Sequence, residues 1–104
     1  MENKKTNNIM RTVYKYKICT FTELVAGIKN RETIDVPENS KVLRCEIQNN
    51  DVCVWIELEK DKKQTEKVSV SLFGTGWEFS GNYQYINSIF IHGGTYVYHA
   101  YLNF

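Results

Sequence analysis

Proline occurs once in the 104 residues, as Pro37, and no stretch approaches the roughly 20 consecutive apolar residues of a membrane span. Net charge is also nearly absent: 13 Lys and Arg stand against 12 Asp and Glu, a formal +1 at pH 7. A duplex-DNA binder displaces counterions with a basic stripe, and an acidic DNA mimic needs the opposite excess, so sequence-specific DNA binding is not expected. Cys19, Cys45 and Cys53 lack the C-x-x-C spacing of a metal or redox motif and fall in or beside apolar runs. They read as reduced structural thiols, and a catalytic cysteine among them would need a histidine partner. Met1 to Asn8 is polar without an apolar run and does not read as a signal peptide. Residues 1–11 are therefore expected to be a flexible tail, and residues 12–104 one soluble, cytoplasmic domain. A chain of this size can bury roughly two thirds of its unfolded surface, so stability demands no structural metal or cofactor. Ser-His-Asp order, paired acidic motifs and nucleotide-binding fingerprints are missing too, which favours binding over catalysis.

What is present alternates. Thr12 to Ile18 places Tyr14, Tyr16 and Ile18 on one side and Val13, Lys15 and Lys17 on the other, the period of a strand. In Thr20 to Asn30, Leu24, Val25 and Ile28 follow helical spacing behind Thr22 as a possible N-cap, with Gly27 against it, so a short helix or ordered loop is expected. Thr33 to Val36 is a β-branched run stopped by Pro37, and Glu38, Asn39 and Ser40 supply turn chemistry. A hairpin follows from Lys41. With Asn49 and Asn50 as its loop, Ile47 meets Val52, Cys45 meets Val54 and Leu43 meets Ile56, making one face apolar. The other face then sets Arg44 opposite Trp55, beside Glu46, Cys53 and Glu57, where a guanidinium can sit over an indole.

Glu59 to Lys67 is a mixed-sign run that reads as a solvated loop, and Val68 to Phe73 resumes the strand pattern until Gly74-Thr75-Gly76 breaks it. Trp77 to Asn82 reads as a loop with buried aromatic anchors. From Gly81 to Phe104 no Asp, Glu, Lys or Arg occurs, while Tyr83, Tyr85, Phe90, Tyr96, Tyr98, Tyr101 and Phe104 crowd the segment. With Gly93 and Gly94 in the loop of a second hairpin, Ile91 meets Tyr96, Phe90 meets Val97 and Ile89 meets Tyr98. Such strands are expected to be central or to form an interface between copies of the chain, not an exposed edge. Together these segments predict a mainly β fold, a small antiparallel sandwich or partly open barrel of about six strands with at most one short helix.

Candidate binding residues follow from chemistry. Gly74, Thr75 and Gly76 expose backbone amides that could cradle an anion, though without the lysine and helix of a phosphate loop; otherwise they form a tight turn that folds Trp77 onto the core. His92 and His99 do not face one another, because His99 falls opposite Ser88, so no metal is expected where zinc would need three or four converging ligands. Arg44, Trp55 and Trp77, with seven Tyr and five Phe, are residue types that anchor protein interfaces and also stack nucleobases, although any one aromatic more often packs in a core.

The succession Val13-Tyr14-Lys15-Tyr16, Thr33-Ile34-Asp35-Val36-Pro37, Lys41-Val42-Leu43, Gln48-Asn49-Asn50 through Cys53-Val54-Trp55, Phe73-Gly74-Thr75-Gly76, Tyr85-Ile86, His92-Gly93-Gly94 and Val97-Tyr98-His99 resembles a family of small bacteriophage and prophage proteins. The chain departs from that pattern by extra residues around Cys19 to Arg31, by Asn50 where glycine is usual, and by Trp77 where histidine is common. The resemblance carries over no catalytic residue. It implies a counter-defence protein that inhibits a bacterial immune component, for example an anti-CRISPR, or a sponge that sequesters a cyclic nucleotide or related signal; a phage structural or assembly part is the third reading. The partners expected are a host defence protein or a small nucleotide, with a homo-oligomer through the aromatic C-terminal strands.

Overall fold

The computed structural model describes residues 9–103; of the tail expected at residues 1–11, residues 1–8 lie outside them, as does Phe104, and Arg11 is already the first residue of a strand. Seven strands and one short helix follow in the order β1 (Arg11–Thr20), α1 (Phe21–Val25), β2 (Arg31–Pro37), β3 (Lys41–Gln48), β4 (Asp51–Glu59), β5 (Thr65–Gly74), β6 (Gln84–Ile91) and β7 (Tyr96–Asn103). They form two antiparallel sheets, β1-β4-β3 and β2-β5-β7-β6, packed face to face as a sandwich that does not close into a barrel. The expected fold class is correct, with one strand more than anticipated.

Alternation explains which side of each strand faces inward. Val52, Val54, Ile56 and Leu58 of β4 meet Val68, Val70 and Leu72 of β5 and Tyr98, Ala100 and Leu102 of β7 in one buried core. On β1 the break in alternation coincides with a bulge. The register of β1 on β4 slips between Lys17 and Cys19, so Ile18 and Cys19, though adjacent, are both buried.

The cap of helix α1 lies two residues before the expected one. Thr20, not Thr22, is the N-cap: its hydroxyl accepts from the Glu23 amide at 3.0 Å, and the Glu23 carboxylate accepts from the Thr20 amide at 2.8 Å. This reciprocal capping box is written in the sequence as Thr20-x-x-Glu23. The hydrogen bonds from Thr20 hold the Glu23 carboxyl below its usual range. Gly27, at φ +72°, ends the element.

Both hairpins keep most of the expected register. Ile47 pairs with Val52, Cys45 with Val54 and Arg44 with Trp55, and Asn49 takes the positive φ of 57° that the tight turn requires. Leu43 does not meet Ile56. A bulge between Val42 and Arg44 gives that place to Val42 and leaves Leu43 42% exposed. In the second hairpin Ile91 pairs with Tyr96, Phe90 with Val97 and Ile89 with Tyr98, around a turn in which His92, Gly93 and Gly94 all have positive φ.

The charge-free C-terminal hairpin splits between two environments. Strand β7 is central, but β6 is an edge of its sheet, so the central placement does not hold for it. The reason is topological: β5 pairs with β7 and leaves β6 outermost. That edge lies along β3 of the other sheet, where the side-chain amide of Asn87 reaches across. Its Oδ1 accepts from the Cys45 amide and its Nδ2 donates to the Cys45 carbonyl, both at 2.8 Å. Asn87 thus supplies the pair of hydrogen bonds a neighbouring strand would make, and it stitches the seam of the sandwich.

Candidate functional surfaces

The outer face of the three-stranded sheet is built from Arg11, Lys15 and Lys17 of β1, Lys41, Arg44, Glu46 and Gln48 of β3, and alternate residues of β4. Its middle is Trp55, half-buried, with Lys15 as cross-strand partner on one side and Arg44 on the other. The Arg44 guanidinium is engaged by Glu46, whose Oε2 accepts from Nε at 3.1 Å and from Nη2 at 2.8 Å. Lys15 instead donates to the Gln48 amide oxygen at 2.6 Å, reaching over β4 beside the indole. Lys17 and Arg11 lie 3.6 and 3.5 Å from Asp51 and Glu57. These exposed pairs are screened and contribute little to stability, so the face can exchange them for partner contacts at low cost.

Gly74-Thr75-Gly76 forms the turn that folds Trp77 back. The Trp77 amide donates to the Gly74 carbonyl at 3.0 Å and the Thr75 amide to Val97 at 3.4 Å, so two amides of the loop are spent internally. Gly76 has φ +89° at the third turn position, the geometry glycine serves there. The indole of Trp77 lies on Gly74 so closely that a Cβ there would stand 2.8 Å from Cε2 and Nε1, and its edge meets Tyr98 with centroids 5.9 Å apart. Gly74→Ala should therefore expel the indole and cost about 1–3 kcal/mol of folding free energy, with red-shifted tryptophan emission as the readout. Trp77 is 45% and Phe79 43% exposed, so the loop's aromatic anchors are surface rings and not buried ones. An open groove of about 370 Å³ runs beside the turn, lined by Gly74, Thr75, Trp77, Tyr96, Val97 and Tyr98.

Two histidines serve two places. His92 sits at φ +55° in the hairpin turn and stacks on Phe21, with centroids 5.4 Å apart and planes 20° from parallel. His99, opposite Ser88 as expected, is in the outer face of the four-stranded sheet. Both its nitrogens are engaged: Nδ1 with Ser88 Oγ at 2.7 Å and Nε2 with Thr75 Oγ1 at 2.8 Å; Ser88 Oγ meets Tyr85 OH at 2.7 Å. Among the described residues no three His, Cys, Asp or Glu converge as metal ligands. The Ser88 contact was implicit in the hairpin register, whereas the Thr75 contact depends on β5 pairing with β7 and has no local signal.

Around this hydroxyl chain the same outer face is aromatic. Phe79 stacks on Phe73 at 4.0 Å, and Tyr83, Tyr85 and Tyr101 pack around them by edges and tilts. The cysteines all lie below 2% exposure. Burial pushes the Cys45 thiol up to about 12 and that of Cys19 to about 11, and raises that of Cys53, so none is a ready nucleophile.

Residues 10–103 match the family described as a domain of unknown function, DUF7352. The chain belongs to that family, which spans the whole sandwich and sets no activity on it. No curated protein and no solved structure matches the chain. Among the described residues no helix is long and apolar enough to cross a membrane.

Proposed function

We propose that the chain is a non-catalytic, phage-type counter-defence protein that binds and blocks a bacterial immune protein through the outer face of its three-stranded sheet. The observation that carries this reading is Trp55 set between Lys15 and Arg44 on a flat, mixed-charge surface. Interfaces with independent partners place a large aromatic and an arginine at the centre and charged residues at the rim, and those few anchors hold most of the binding energy. The resemblance to small phage proteins supplies the context of a host defence system. A pull-down from a defence-bearing host tests it. An immune protein should be retained by the wild type, and Trp55→Ala should weaken retention about tenfold or more while thermal unfolding changes little. Protection of the phage with no immune protein retained would rule the reading out.

A second reading has its own support. The groove beside Gly74 to Trp77 has two tyrosines and an indole on its walls, the residue types that stack bases, which suits a sponge for a cyclic nucleotide or related signal. Heating the purified protein after incubation with candidate nucleotides would release bound ligand; an empty supernatant removes this reading.

A further inference from the structure

The two outer faces of the sandwich differ in chemistry, and the difference points to different occupants. On the four-stranded sheet, the half formed by β6 and β7 presents Phe90, Val97, Ser88, His99, Tyr85 and Tyr101, with no charged side chain among them. Phe90 is 66% and Tyr85 54% exposed, and Phe79, which packs on Tyr101 opposite Tyr85, is 43% exposed. With roughly 200 Å² per aromatic side chain, these three rings alone leave on the order of 300 Å² in water. Summed over the three rings, that exposed area is of the order seen in the largest apolar patches of monomers. It also supplies a substantial part of the roughly 800 Å² each partner buries in a standard interface.

We propose that this face docks against the same face of a second copy of the chain, forming a two-fold symmetric dimer. A two-fold interface is isologous, so each patch must be complementary to itself. A mixed-charge patch must set each charge against an opposite one across the axis, which restricts the register in which two copies can meet, and it must desolvate those charges. The β6–β7 face avoids both difficulties: it carries no Asp, Glu, Lys or Arg, and its polar groups are hydroxyls, which donate and accept alike, and the His99 imidazole, whose nitrogens are engaged by Ser88 and Thr75. Burial leaves the chain from Tyr85 through Ser88 and His99 to Thr75 largely satisfied, since each group already has a partner at 2.7 or 2.8 Å, and only one end hydroxyl, that of Tyr85 or Thr75, keeps a proton to donate across the axis. Homodimer interfaces are also more apolar than interfaces with independent partners, which matches this face and not the Trp55 face. A nucleic-acid partner would find no cation here to meet its phosphates.

Sedimentation velocity of the full chain over a concentration series is the test. The wild type should sediment with the mass of two chains, and Phe90→Asp, which sets two carboxylates against each other across the axis, should raise the dissociation constant at least tenfold. Phe90 is too exposed for that change to unfold the monomer, which circular dichroism verifies. Val13→Asp makes the same chemical change at a site 48% exposed on the other sheet and should leave the dimer intact. A monomeric wild type at 100 µM overturns the proposal, as does a Phe90→Asp protein that remains as dimeric as the Val13→Asp control. Because the host pull-down reads the opposite face, either result stands without the other.

Discussion

Ile89→Ala should lower the free energy of unfolding by about 2–5 kcal/mol, the largest loss expected from any single truncation considered for this chain. Ile89 is fully buried on β6, paired with Tyr98, and belongs to the single core between the sheets, so truncation removes apolar contacts and leaves a cavity there. A domain of this length has a total stability of only about 5–15 kcal/mol, so urea denaturation should show a midpoint shift of a large fraction of the wild-type value at unchanged slope. The contrast with Trp55 is informative. If Trp55→Ala costs as much folding energy as Ile89→Ala, the indole is a core residue and not an anchor for a partner.

The second large effect is expected at Asn87. Removing its amide with Asn87→Ala leaves both the N–H and the C=O of Cys45 without their partner at a fully buried residue. Each orphaned backbone group costs about 1–3 kcal/mol when fully buried and less where water can reach it, as at this part-buried seam, so a loss of about 2–4 kcal/mol follows. Asn87→Asp discriminates the geometry from simple packing. It preserves the size and can still accept from the Cys45 amide, but turns an acceptor toward the Cys45 carbonyl, and should be nearly as harmful near neutral pH. Hydrogen exchange at the Cys45 amide should accelerate in both variants more than at Val54, which pairs within the sheet. Equal acceleration at both amides would show that Asn87 serves the fold generally rather than the seam.

The registers of both hairpins were legible because alternation and turn chemistry are local: Asn49-Asn50 and Gly93-Gly94 fix the loops, and the apolar sides then find each other. The bulge at Leu43 was not, since an apolar residue continues the alternating pattern and no glycine marks the break. The cap at Thr20 was readable from Glu23 three residues on, a signal stronger than the proximity of Thr22 to the apolar spacing. Placing β6 at an edge requires knowing that β5 pairs with β7, a long-range choice that composition does not encode; the lack of charge from Gly81 onward records an apolar surface, not a central position. The same limit applies to the candidate surfaces. Arg44 opposite Trp55 came from hairpin register, but Lys15 on the other flank needs β1 beside β4, and the bridge from Asn87 to Cys45 needs the relation of two sheets.

Each strand of the smaller sheet carries one cysteine, Cys19 on β1, Cys45 on β3 and Cys53 on β4, and the four strands opposite carry none. Nature has thereby left this molecule with a chemical witness confined to one layer. An alkylating reagent that counts modified sulfurs over time reports through Cys19 and Cys45 when the shared core opens, and through Cys53, which lies outside that core, when the smaller sheet itself loosens.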